Sequence, residues 1–294
     1  MANFSGKLNK IARSTDSYLK SVLVKQDKNS FLLKPMKYSL LSGGKRFRSS
    51  IVVSAGKIFD VDYKKLIIVG SAIECIHSYS LIHDDLPSMD NDDFRRGKLS
   101  THKKFNEFTA ILAGNSLLTL AFEILSSNAL KLPKEIKNEL INELSNCSGH
   151  SGLAGGQYSD LTFEKKNISK KNIIAMQIKK TGKLFGFCCE SIAILKKQNK
   201  TKRKLLKEIG LQIGLLFQIV DDLIDYKGDS NIVGKPTKSD KKKGKATLVN
   251  LLGYDETLKF TRILQRKLES QIRRYGSKAD DLLESIEFIL KREF

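Results

Sequence analysis

Apolar side chains recur at three- and four-residue intervals along nearly the whole chain, the period of an α-helix. Residues 68–82, 109–125, 174–195, 205–224 and 282–290 carry the pattern most clearly, and several of these stretches are apolar on almost every side. A helix of that kind is buried in a bundle or spans a membrane. The longest apolar stretch, residues 110–125, is interrupted by Asn115, Ser116 and Thr119 and is short for a span, so the pattern predicts a bundle with no membrane span. No alternating run is closed by Asn-Gly or Asp-Gly, and no strand is predicted. Breaks are expected at 42–44, 91–99, 127–133, 148–156, 198–201, 227–244 and Gly276. None has the character of an interdomain linker, and no fixed-period repeat is present. The expectation is one all-α domain over residues 1–294.

Composition narrows this picture only slightly. Four prolines in 294 residues leave room for long helices. A formal charge of +20 favours polyanionic partners, although abundant lysine also simply solvates helix surfaces. Cys75, Cys147, Cys188 and Cys189 show no metal-ligand spacing, which suggests reduced thiols in a cytoplasmic protein. The first residues lack the apolar core of a signal peptide.

Two acidic clusters change the picture more. Asp84-Asp85-Leu86-Pro87-Ser88-Met89-Asp90 closes one apolar helical run, with Asp92 and Asp93 just beyond, and Asp221-Asp222-Leu223-Ile224-Asp225 closes another. Carboxylates at the ends of buried helices repel one another and lose hydration, and a cation relieves both costs. Gln218, Asp221, Asp222 and Asp225 fall at i, i+3, i+4 and i+7, one stripe on one face, and His77 lies two turns before Asp84. Mg²⁺ binds through a few carboxylates completed by substrate phosphates. Two carboxylate walls can therefore hold Mg²⁺ with a diphosphate between them. Cations flank the clusters. Gly43-Gly44-Lys45-Arg46-Phe47-Arg48 joins a flexible turn to three of them, Arg95-Arg96-Gly97 follows the first cluster, Lys180-Thr181-Gly182-Lys183 precedes the second, and Lys235 and Lys245 follow it in a long polar loop.

These segments, in this order and together with Leu153-Ala154-Gly155-Gly156-Gln157-Tyr158-Ser159-Asp160, resemble the short-chain trans-isoprenyl diphosphate synthases, from about residue 30 to the C-terminus. The bacterial farnesyl diphosphate synthases are the most similar in pattern. The resemblance implies an all-α bundle around a deep central cavity, a homodimer, and three Mg²⁺ ions, with Mn²⁺ as the alternative. It implies metal binding by Asp84, Asp85 and Asp90 and by Asp221, Asp222 and Asp225. It assigns isopentenyl diphosphate to Lys45, Arg48, His77 and Arg96. Arg95, Lys180, Lys235 and Lys245 fall to the allylic diphosphate, with Thr181 and Gln218 beside the carbocation. Two departures stand out: Ser49 where the family often has Pro, and Asn115 where it commonly has Asp.

The chemistry so implied is ionisation of an allylic C–O bond, attack by the isopentenyl double bond, and loss of a proton to the departing diphosphate. Tyr79 and Ser80 lie about 7.5 Å and one turn below Asp84, where an aromatic blocks chain growth and, by the resemblance, goes with a fifteen-carbon product. The 226–247 loop and the terminal Lys291-Arg292 are lid candidates. Alternatives are a geranylgeranyl diphosphate synthase, a class I terpene cyclase, and a non-catalytic subunit. Tyr79 argues against the first, the second set of cations against the second, and both intact acidic clusters against the third. A nucleic-acid binder should show a set of aromatic stacking residues among its cations or a known reading module, and neither is recognised in the chain.

Overall fold

The structure is a computed structural model that describes residues 2–26, 29–228 and 244–291. It is all-α, as the periodicity predicts, and it forms two compact units: Met1–Gly56 with Val61–Ile141, and Lys57–Asp60 with Asn142–Phe294.

In the first unit, α4 (Tyr63–Asp84) is the central helix. Its run of Ile67, Ile68, Val69, Ala72, Ile73, Cys75 and Ile76 is buried on nearly every side. It starts where the Asp62 side chain accepts from the Lys65 N–H. Around it pack α1 (Ala2–Val24), α2 (Leu33–Leu40) and α6 (Glu107–Ser126), while α3 (Phe47–Ile58) and α5 (Thr101–Lys104) complete the unit. Asn106 caps α6, which starts at Glu107, two residues before the predicted apolar run. That extension corrects the length read for this stretch and leaves the expectation of a bundle in place, since a core helix passes the same length test as a span. By length and composition alone, both α4 and α6 could cross a membrane; 78% of the apolar window of α4 is buried within the protein, but only 44% of that of α6.

A second correction concerns strands. Phe94–Arg95 (β1) pairs antiparallel with Lys98–Leu99 (β2), with Phe94 opposite Leu99. Arg96 and Gly97, at φ +53° and +72°, make the turn. Arginine is an unusual residue for that position, so the hairpin carries no recognisable turn signature.

In the second unit, α11 (Lys200–Lys227) is central. It begins at an Asn199 cap and ends at Gly228, φ +78°. Against it pack α10 (Lys183–Leu195), α12 (Leu248–Leu252), α13 (Tyr254–Arg273) and α14 (Asp280–Leu290). A π turn, Ile178–Gly182, joins α9 (Lys170–Gln177) to α10, and α8 (Leu153–Thr162) packs on that turn. Helix α7 (Lys134–Ser148) starts in the first unit and ends in the second.

Candidate active site

The first acidic cluster is shaped by its backbone. Helix α4 stops at Asp84, and the chain then folds back on itself. The Met89 N–H bonds the Leu86 carbonyl (2.9 Å), the Asp90 N–H bonds the Asp84 carbonyl (2.9 Å), and the Asp92 N–H bonds the Asp85 carbonyl (3.2 Å). Asp84 and Asp90 are thereby held side by side. Asp85 has a different environment. It is buried, and its carboxylate accepts from the Arg95 guanidinium, with Nε 2.9 Å from Oδ1.

The hairpin separates two adjacent arginines. Arg95 goes to Asp85, whereas Arg96 donates to the Gly43 carbonyl. Gly44, at φ +115°, lies so close that a Cβ there would sit 2.9 Å from the Arg96 guanidinium carbon. Three cations of the Gly43–Arg48 segment also divide. Lys45 is exposed at the turn and Arg48 opens α3. Arg46 is buried, with Nε 2.7 Å from Asp16, a carbonyl bond to Leu40, and Glu74 at 3.7 Å. Glu74 also accepts the Ser49 N–H (3.2 Å), a donor that proline at 49 would lack. Burial pushes the His77 pKa well below its usual value, and Arg48, Arg96, Arg46 and Arg95 push it further. Arg48, His77 and Arg96 thus share one cationic neighbourhood, which disfavours a further charge on His77.

Below Asp84, the Tyr79 ring stands edge-on to His83 (centroids 5.0 Å apart), and His83 Nε2 meets the Ile111 carbonyl at 3.1 Å. Ser80 is buried and donates to the His77 carbonyl of its own helix. Of the two predicted chain-length residues, only Tyr79 keeps a partly exposed side chain. Asn115 is exposed on α6.

The second unit carries the other half of the predicted residues. Lys180 and Thr181 sit in the π turn, a distortion common where a helix serves a site. Glycines let other helices approach it. A Cβ on Gly214 of α11 would lie 2.7 Å from the Gly182 Cα, and one on Gly156 of α8 only 2.1 Å from the Lys180 N. The first approach brings Gln218 to Thr181, whose hydroxyl donates to Gln218 Oε1 (2.8 Å). Buried Asp222 accepts from Gln218 Nε2 (2.9 Å) and from Gln177 Nε2 (2.7 Å). An ionised carboxylate only accepts, so both amide NH₂ groups must face Asp222, which leaves the Gln218 carbonyl for Thr181. Asp221 and Asp225 lie on the partly exposed side of the same helix end.

The second approach brings Asp160 to Lys180 (2.8 Å), and Lys245 reaches the same Asp160 oxygen (2.9 Å) and Glu164 (2.9 Å). Burial alone would raise the Asp160 pKa, but Lys180 and Lys245 hold it below the ordinary carboxylate value. Lys235, most of the 226–247 loop and Arg292 lie outside the described residues. Lys291 pairs with Glu287 (3.4 Å).

This inventory of motifs has a counterpart among known proteins. The polyprenyl synthetase family model matches residues 29–286. The chain belongs to the polyprenyl synthetase family. A farnesyl diphosphate synthase of Buchnera aphidicola is 43% identical over 242 residues, 81% of this chain and 84% of that protein. An FPP/GFPP synthase from Zymomonas mobilis superposes with a TM-score of 0.88 at 39% identity, covering 98% and 99% of the two chains. A geranyltransferase from Helicobacter pylori, solved with magnesium and isoprenyl diphosphate, superposes at 0.82 and 29% identity, covering 98% and 96%.

Among the described residues of this polyprenyl synthetase, no three carboxylates, imidazoles or thiolates converge into a metal cage. Sequence reasoning had left Asp160, Glu164, Gln177, Glu74 and Asp16 without roles. Asp160 was visible as the last residue of the Leu153–Asp160 segment, and the others carry no local signal.

Proposed function

We propose that this polyprenyl synthetase condenses isopentenyl diphosphate with dimethylallyl and then geranyl diphosphate to give farnesyl diphosphate. The observation that carries this reading is the 43% identity, over most of both chains, to a farnesyl diphosphate synthase. Tyr79 beneath Asp84 supports the fifteen-carbon limit.

Asp84 and Asp90 ligate Mg²⁺ from the first cluster, and Asp221, with Asp225, from the second. Asp85 and Asp222 support these ligands from behind, since Arg95 and two glutamines already occupy their oxygens. The three Mg²⁺ ions, or Mn²⁺ in their place, supply when bound the positive charge that stabilises the departing diphosphate. Lys180, Lys235, Lys245 and Arg95 hold the allylic diphosphate. Lys45, Arg48 and Arg96 hold isopentenyl diphosphate by charge, and neutral His77 does so by hydrogen bonding. Thr181 and Gln218 turn oxygen lone pairs toward the allylic cation, their orientation set through Asp222. The departing diphosphate takes the final proton, because the carboxylates beside the site are committed to cations.

Homodimerisation belongs to the same proposal. Phe108, Ile111 and Leu112 are exposed on α6 and continue in one stripe with Asn115 and Thr119, an apolar face suited to a second copy. A cytoplasmic location belongs to the same proposal, and the burial of Cys75, Cys147, Cys188 and Cys189 is compatible with it.

Labelled isopentenyl diphosphate with dimethylallyl diphosphate, incubated with and without Mg²⁺, tests the reading. A metal-dependent fifteen-carbon alcohol after dephosphorylation is expected. Diphosphate release without isopentenyl diphosphate would instead indicate a cyclase.

A further inference from the structure

We infer that Asp160 is the positioning residue of the allylic diphosphate site: it gathers Lys180 and Lys245 onto one carboxylate oxygen and so sets the spacing of the two cations that receive the phosphates. The inference rests on the proposed assignment of both lysines to that diphosphate.

Three separate segments converge here. Asp160 comes from α8, Lys180 from the π turn, and Lys245 from the stretch that precedes α12. The two ammonium nitrogens, 2.8 and 2.9 Å from the shared Oδ2, are no more than 5.7 Å apart. Two like charges at that range repel each other and would separate without the carboxylate between them. Each partner is also anchored independently. Gly156, one turn before Asp160, lets the α8 backbone meet the backbone of Lys180. The Lys165 N–H bonds the Gly244 carbonyl (2.8 Å), and Asn250 Nδ2 donates to the Lys245 carbonyl (3.0 Å). The carboxylate side chain of Asp160 is 9% exposed and that of Lys245 8%.

Charge alone gives no reason for this arrangement. With Glu164, the two acids cancel the two lysines, so Asp160 weakens the attraction for an incoming anion. What it supplies is preorganisation: cations already fixed where charge develops on the leaving group.

Steady-state kinetics with geranyl and isopentenyl diphosphates separate the two roles. Asp160→Asn is expected to lower kcat by about 10²-fold and to raise the KM for geranyl diphosphate, leaving the KM for isopentenyl diphosphate unchanged. Asp160→Asn combined with Lys245→Met should lose less than the product of the two single losses, because the Lys245 contact is shared, yet more than Lys245→Met alone, because Lys180 also loses its partner. Unchanged kcat with an equal or lower geranyl KM overturns the inference, as does an equal rise in both KM values, which marks a merely structural role. Should the Asn variant not fold, Asp160→Glu decides. It keeps the charge but moves it by a methylene, and a loss of kcat with only the geranyl KM raised supports the inference, whereas wild-type kinetics refute it. Absence of condensation by the wild-type protein would refute the functional reading itself, before any variant is compared, and take the inference with it.

Discussion

Replacing Arg46 by Met should destabilise the protein without touching a phosphate ligand. Arg46 stands between two residues assigned to isopentenyl diphosphate, yet its guanidinium is 1% exposed and its partners are Asp16, Glu74 and the Leu40 carbonyl. The two acids differ. Asp16 is 32% exposed and regains water when Arg46 is lost, so its share is small. Glu74 is 3% exposed and would be left with the Ser49 N–H at 3.2 Å as its donor. Breaking a buried pair from one side costs about 3–5 kcal/mol, because a charge is left uncompensated. Against a total stability of about 5–15 kcal/mol, that is a large fraction. Adding Glu74→Gln removes the stranded charge and should recover most of the loss. Urea unfolding followed by far-UV circular dichroism measures both, and the midpoint should move without a change of slope. A loss under about 1 kcal/mol for Arg46→Met, or no recovery in the double variant, would refute the buried-charge argument.

Other outcomes are expected. Tyr79→Ala should lengthen the product beyond fifteen carbons, read by chromatography of the prenyl alcohols; unchanged length would remove Tyr79 as the gate. Gly114→Ala places a Cβ 2.2 Å from His83 Nε2 and should cost about 1–3 kcal/mol in urea unfolding, with reduced turnover because His83 adjoins Asp84. His77 adds a pH dependence. Its folded pKa lies below the unfolded value of about 6.5, so above that pH it is neutral in both states and contributes nothing. Below about pH 6.5 the unfolded chain takes a proton that the folded one refuses, and stability falls by up to about 1.4 kcal/mol per pH unit. His77→Gln should flatten that slope; an unaltered slope would show that His77 titrates normally.

The apolar period made α4, α6, α10 and α11 legible, because burial and helical geometry both act on neighbouring positions. Both acidic clusters were legible for the same reason, each being compressed into one or two turns. The break at Phe59–Asp62 was overlooked, although Asp62 as an N-cap could have marked it. The Phe94–Leu99 hairpin was hidden by an arginine at a positive φ. Adjacent Arg95 and Arg96 look equivalent in sequence, and only the hairpin sends one to Asp85 and the other to Gly43. Likewise Asp222 reads as a metal ligand beside Asp221; Gln218 is legible one turn back on the same helix, but the Gln177 donor becomes visible only when α9 packs on α11. Long-range partners such as Asp160 with Lys245 leave no periodic trace.

The most direct test is a crystal structure grown with Mn²⁺ and an unreactive allylic thiodiphosphate, with the ions located by anomalous scattering. Oxygens of Asp84 and of Asp221 are expected within about 2.0–2.2 Å of ions that share one diphosphate. Ions bound by only one of these aspartates, with the diphosphate elsewhere, would contradict the account.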